Sequence, residues 1–124
     1  MLNRESILSV QDLATQDVDV PEWGGTVRVR MMTGTERDTL NASLAIKDGK
    51  GDMTDYRAKV VTLTLINDDG QRIFNLEDAP ALSKKSSSAL ERVFVAAATL
   101  NGMLATSVDD AAKNSPAAPS GASS

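Results

Sequence analysis

Few stretches of this 124-residue chain have residue types and spacing that could do chemistry. Asn67-Asp68-Asp69-Gly70 carries the carboxylates and glycine of a calcium loop. An EF-hand in that register needs an acid where Leu65 stands and a bidentate glutamate where Leu76 stands, so the segment reads as a solvated turn. Gly49-Lys50-Gly51 offers a glycine and a lysine for a phosphate. A Walker A loop needs an earlier glycine at Leu44 and a hydroxyl at Gly51, which leaves a flexible linker. Ser83-Lys84-Lys85-Ser86-Ser87-Ser88 sets hydroxyls beside amines. A Ser-Lys pair works only when the lysine is buried and its pKa falls, whereas this hydrophilic run suits the wet first turn of a helix. Glu36, Asp38, Asp52 and Asp55 are too scattered to make a catalytic carboxylate pair and read as surface charge.

Composition narrows the chemistry further. The chain has no Cys and no His. Disulfides, thiolate zinc sites and cysteine catalysis are excluded, and so are the Ser-His-Asp type of hydrolase and most transition-metal sites. No cofactor is expected. The formal net charge is −4, which argues against a nucleic-acid partner because phosphate backbones attract basic surfaces. Lys84-Lys85 and Arg28/Arg30 are too small to form a basic patch. No apolar run approaches the length of a membrane span, and the start of the chain does not resemble a signal peptide. The reading is a soluble intracellular protein, of a length that fits one domain.

The elements that would position any site follow from hydrophobic spacing. Residues 6 to 13 mix apolar and polar types and fit a short helix or a strand. Val18-Asp19-Val20 and Thr26-Val27-Arg28-Val29-Arg30-Met31 alternate with period two, with Val27, Val29 and Met31 on one side. Gly24-Gly25 between them supplies a turn, so residues 18 to 32 read as a β-hairpin. Thr33 and Glu36 form a capping-box pattern for a helix with Leu40, Leu44 and Ile46 on its apolar side, stopping near Gly49. Met53, Tyr56, Val60 and Leu63 keep helical spacing, yet Val61, Leu63 and Leu65 alternate as a strand would. A hairpin turning at 67–70 and returning through Gln71 to Phe74 competes with a helix over 52–66, and length favours the helix. Leu90, Val93, Phe94, Ala97 and Leu100 predict a helix over about 83–101, with Ser83 as its cap and Gly102 at its end. Residues 115–124 are Pro, Ala, Gly and Ser only, and are expected to be a disordered tail dispensable for folding.

Trp23 stands out because it is the only tryptophan and sits in the turn beside Pro21 and Gly24. It can cap the core, which the sequence slightly favours. It can also be an exposed anchor, since tryptophan is enriched at binding hot spots. Pro21, Trp23 and Gly24 are therefore the candidate protein-contact residues, and the exposed side of helix 83–101 is a second candidate surface.

The order of these segments resembles a known family. Val20-Pro21-Glu22-Trp23-Gly24-Gly25, then Val27-Arg28-Val29-Arg30, then Gly34-Thr35-Glu36-Arg37-Asp38 is similar to the start of the tail assembly chaperones of long-tailed bacteriophages. Arg57-Ala58, Leu65-Ile66-Asn67-Asp68-Asp69-Gly70, Arg72-Ile73-Phe74, Leu100-Asn101-Gly102 and Lys113-Asn114 continue the likeness over about residues 3 to 114. Each piece alone is weak, while their order and spacing together are specific. The resemblance implies an α+β fold, a small single domain over 1–114 with an N-terminal β-hairpin followed by a few packed helices, and it favours helix over 52–66. It also implies a chaperone without catalysis. The partners implied are the tape-measure protein, whose apolar helical chain would be coated, and the tail-tube protein, which would be recruited. The implied setting is the host cytoplasm, with no place in the mature virion and with room for weak self-association. The competing expectation is a structural minor tail or head-completion protein retained in the particle.

Overall fold

The structure, a computed structural model, describes residues 1–45 and 51–103. The predicted hairpin is present with shifted bounds. Strand β1 (Thr15–Val20) pairs antiparallel with β2 (Gly25–Arg30), from Thr15 opposite Arg30 to Val20 opposite Gly25. The pairing starts three residues earlier than the alternation indicated, where Arg28 Nε donates to Asp17 Oδ1 across the ladder at 2.7 Å. A single 3-10 turn, Pro21–Trp23, joins the strands and ends on Gly24 at φ +78°, a conformation glycine adopts without strain. Val29 is fully buried and Val27 half-buried, as the alternation requires. The strand ends at Arg30, however, and the chain then turns so that Met32 is buried more deeply than Met31.

The segment 52–66, where a helix is favoured and a strand competes, contains both. Helix α3 (Tyr56–Thr64) runs directly into β3 (Leu65–Ile66), which pairs antiparallel with β2 and completes a three-stranded sheet in the order β1-β2-β3. The turn at 67–70 then returns the chain so that Ile66 bridges Arg72. Asn67 Oδ1 accepts from the N–H groups of Asp69 (2.9 Å) and Gln71 (3.0 Å), so this loop is a self-contained turn. Six of the nine α3 residues are buried, which explains the mixed periodicity: a helix covered on nearly every side has no single apolar stripe. Its threonines are tolerated because Thr62 Oγ1 donates to the Lys59 carbonyl (2.7 Å) and Thr64 Oγ1 to that of Val60 (2.9 Å). Met53, assigned to the apolar stripe, is exposed.

Among the described residues there are four further α-helices, and all but the first pack round this centre. The first is α1 (Arg4–Ser9), so the ambiguous start of the chain is helical, although it buries none of its residues. Next, α2 (Gly34–Ser43) begins with the predicted capping box: Thr33 Oγ1 accepts from Glu36 N–H and Glu36 Oε1 from Thr33 N–H. It stops at Ser43, well before Gly49, and Lys59 Nζ donates to the terminal Ser43 carbonyl. Leu40 is its one buried residue, so little packing rewards a longer helix. Ile46 and the predicted stop near Gly49 lie outside the described residues. A short helix, α4 (Ala79–Leu82), precedes the predicted helix over 83–101, which is α5 (Ser87–Leu100) and starts four residues later than expected. Ser83 ends α4, and Ser86 caps α5 by accepting from Ala89 N–H at 3.2 Å. Any of the serines could cap in isolation. The choice falls where Leu82 and Leu90 are both buried.

α5 packs on α3 and on β1 and β2, and α3 also meets α2, α4 and β2. Leu90, Val93, Phe94 and Ala97 are buried as predicted. Gly102, at φ +66°, ends α5 in a Schellman motif, with Gly102 N–H on Thr99 O (3.1 Å) and Met103 N–H on Ala98 O (2.7 Å). Asn101 ties this end to the sheet: its Oδ1 accepts from Met32 N–H and its Nδ2 donates to Ala97 O, both at 2.8 Å. Glu36 accepts from Arg30 Nη2 at both its oxygens, each at 2.8 Å, and lies 3.4 Å from Arg72 Nε. That partly buried cluster fixes β2, α2 and the 67–72 turn relative to one another. The expected disordered tail, 115–124, lies outside the described residues.

Candidate protein-contact site

The exposed side of α5 does not stand free. β1 runs beside it, and the two form an open groove of about 570 Å³. Val18, Val95 and Ala96 give the groove an apolar floor, while Gln16 and Thr99 lie at one end and Arg92 and Asp19 at the other. Val95 is 39% exposed, an apolar residue on the otherwise polar outer side of the helix. Two of the three charges on the rim are paired, and the third, Asp19, accepts from Thr26 Oγ1 at 2.8 Å. Glu91 accepts from Arg57 Nε at 2.7 Å, and Arg92 Nε donates to both oxygens of Glu22 at 3.0 and 3.1 Å. Arg57 in turn lies over the Phe94 ring at 5.4 Å.

The Arg92–Glu22 pair joins this groove to the hairpin turn that holds the sequence candidates. Trp23 is half-buried and packs on the edge of the core, beside Phe74, Leu82 and Lys85 around a shallow depression of about 290 Å³. Pro21 and Gly24 are exposed and line neither the depression nor the groove. The structure thus keeps the three on one turn and brings only Trp23 against other apolar side chains. Sequence reasoning missed Phe74 and Leu82 as neighbours of Trp23, and Val18 as the partner of Val95. The one available signal was Val95, an apolar residue off the helical stripe.

The electrostatics of the turn and β1 follow from local partners. The Glu22 carboxyl is held below its ordinary range first by its own backbone N–H; desolvation opposes this, and the Arg92 guanidinium adds to the lowering. Asp17 is lowered chiefly by its hydrogen bond to Arg28, whose own pKa rises in return. Both acids are anions at neutral pH and serve as struts. Among the described residues no group of three or more His, Cys, Asp or Glu is placed to hold a metal ion. No helix there is long and apolar enough to cross a membrane.

Fold and surface together define a small α+β protein whose accessible features are shallow and open. A sequence profile of the phage tail assembly chaperone family matches residues 4–114, and the chain belongs to that family. The solved structure of the bacteriophage HK97 tail assembly chaperone is similar, with a TM-score of 0.55 over 77% of this chain and 90% of that chain. The two are 18% identical in sequence, so this likeness is one of fold. No curated protein matches the chain. Family membership gives the chain a role in tail assembly as a chaperone, a role that is not enzymatic.

Proposed function

We propose that this chaperone binds the tape-measure protein of its phage and assists the tail-tube protein to assemble round it, without catalysis and without a cofactor. The observation that supports the reading best is the α5–β1 groove, with its apolar floor of Val18, Val95 and Ala96 and its polar rim, where Glu91 and Arg92 are paired. A groove of this kind accepts the apolar side of an amphipathic helix. The rim leads through Glu22 to Pro21, Trp23 and Gly24, which extend the contact over the hairpin turn. Many weak contacts of this type along one long client add up by multivalency, so each needs little affinity of its own. Apolar burial contributes roughly 25 cal/mol per Å² and is not screened by salt. The protein acts in the host cytoplasm and leaves before the virion matures.

Co-expression tests the proposal. The chaperone keeps the tape-measure protein soluble and co-purifies with it, and moderate salt leaves the complex intact. Val95→Asp abolishes capture with the melting temperature unchanged. Dissociation at a few hundred millimolar salt, or capture that survives Val95→Asp, refutes the groove as the contact. Mass spectrometry of purified virions checks departure: stoichiometric recovery of this chain makes it a structural component instead. Thermal shift with nucleotides and divalent ions checks the absence of a cofactor, and a specific stabilisation by any of them overturns it.

A further inference from the structure

One edge of the sheet is closed and the other is open. At β3 the chain returns through the 67–70 turn, so that Leu65 O accepts from Ile73 N–H at 3.2 Å and Asn67 N–H donates to Gln71 O at 2.8 Å. Those bonds occupy backbone groups at that edge which point away from β2. β1 has no such cover. Met31 N–H donates to Ala14 O at 2.9 Å, and in an antiparallel ladder directly opposite residues alternate between bonded and non-bonded pairs. Gln16, Val18 and Val20 are therefore the β1 residues that bond to β2. The N–H and C=O groups of Thr15, Asp17 and Asp19 point the other way, and among the described residues they meet no hydrogen-bond partner. All three residues are exposed. A row of free donors and acceptors at strand spacing matches one kind of ligand, a second extended backbone.

The side chains select the partner. Asp17 and Asp19 stand on one face of β1 beside the open edge. Asp17 is paired with Arg28 at 2.7 Å, whereas Asp19 accepts from the neutral Thr26 hydroxyl and no ion pair balances it among the described residues. In the antiparallel registers that overlap β1 most fully with a second copy, Asp17 faces Asp17 or Asp19 of that copy, and like charges directly opposite are destabilising. On the other face lie Gln16 and Val18, beside the groove floor of Val95 and Ala96. We infer that the β1 edge accepts an extended segment of a partner protein as a fourth strand, with lysine or arginine side chains beside Asp17 and Asp19 and apolar ones between them over Val18 and Val95. The inference goes beyond the tape-measure reading and does not rest on it. A strand in this place covers the groove floor, so it and a helical client exclude one another.

Amide hydrogen exchange of the full chain, read residue by residue by NMR, is the test. The probe is a short synthetic peptide of alternating lysine and valine. Without it, the Thr15, Asp17 and Asp19 amides exchange freely at any protein concentration. Near saturation the peptide slows them about tenfold or more. A peptide with glutamate in place of lysine does not. Methylating the backbone nitrogens of the lysines, whose N–H groups face β1 in this arrangement, abolishes the effect. Methylating those of the valines, which face away, leaves it. Equal slowing by the glutamate peptide overturns the charge selection, and equal slowing by the lysine-methylated peptide overturns strand addition. No slowing by any peptide overturns the site. Protection of these amides in the protein alone overturns it too, and a rise of that protection with protein concentration makes the occupant a second copy.

Discussion

Replacing Trp23 with alanine separates its two roles by magnitude. A tryptophan side chain carries about 200 Å² of surface, and Trp23 is more than half buried against Phe74 and Leu82. Truncation therefore returns about 130 Å² to water, or about 3 kcal/mol at 25 cal/mol per Å². A fully enclosed site would add a cavity cost and reach about 3–5 kcal/mol. Here the depression is open, so water fills the space and the cavity cost is small. With a urea slope of about 1.5 kcal/mol/M, the unfolding midpoint falls by about 2 M. Far-UV circular dichroism is the assay, because the variant loses the only tryptophan and with it the fluorescence signal. A fall of less than about 0.5 M refutes the core-capping argument and makes Trp23 an exposed anchor alone. Client capture per folded molecule is the second readout, and it weakens because the wet half of the ring extends the contact.

Asn101→Ala leaves Met32 N–H without its acceptor at a half-buried position and costs about 1–2 kcal/mol in urea unfolding. Asn101→Asp keeps the Met32 acceptor but sets a carboxylate oxygen against the Ala97 carbonyl at the negative end of α5, so it recovers little of that loss. Gly102→Ala costs about 1 kcal/mol by thermal unfolding. Its added Cβ meets nothing within 4 Å, so the cost is conformational and comes from the φ of +66°. For pH, the folded carboxyls of Asp17 and Glu22 lie below their ordinary values. Their contribution is complete above the ordinary carboxylate range and is lost as pH falls through the lowered folded values. Acid unfolding between roughly pH 5 and pH 2 is therefore shallower in Asp17→Asn with Glu22→Gln than in the parent.

The sequence alone determined the elements whose signals are local. The Thr33–Glu36 capping box, the Gly24 turn and the Gly102 helix end each depend on atoms within a few residues, so spacing was enough to find them. The stripe from Leu90 to Ala97 was equally plain, because one side of α5 faces the core and the other does not. Family order in the sequence also pointed to the tail assembly chaperones, and the profile match over 4–114 agrees. Tertiary structure decided the rest. At 52–66 the sequence favoured a helix but left a strand in competition, because α3 is covered on nearly all sides, which erases its period, and because β3 exists only by pairing with β2. The start of α5 at Ser87 was chosen among several serines by the burial of Leu82 and Leu90. The early end of α2 reflects how little of that helix has anything to pack on. The groove was equally hidden, since Val18 and Val95 line it from positions 77 residues apart and neither carries a local sign of the other. A cap or a turn is written in neighbouring residues, whereas a surface made by a strand and a distant helix exists only after the core has set them side by side.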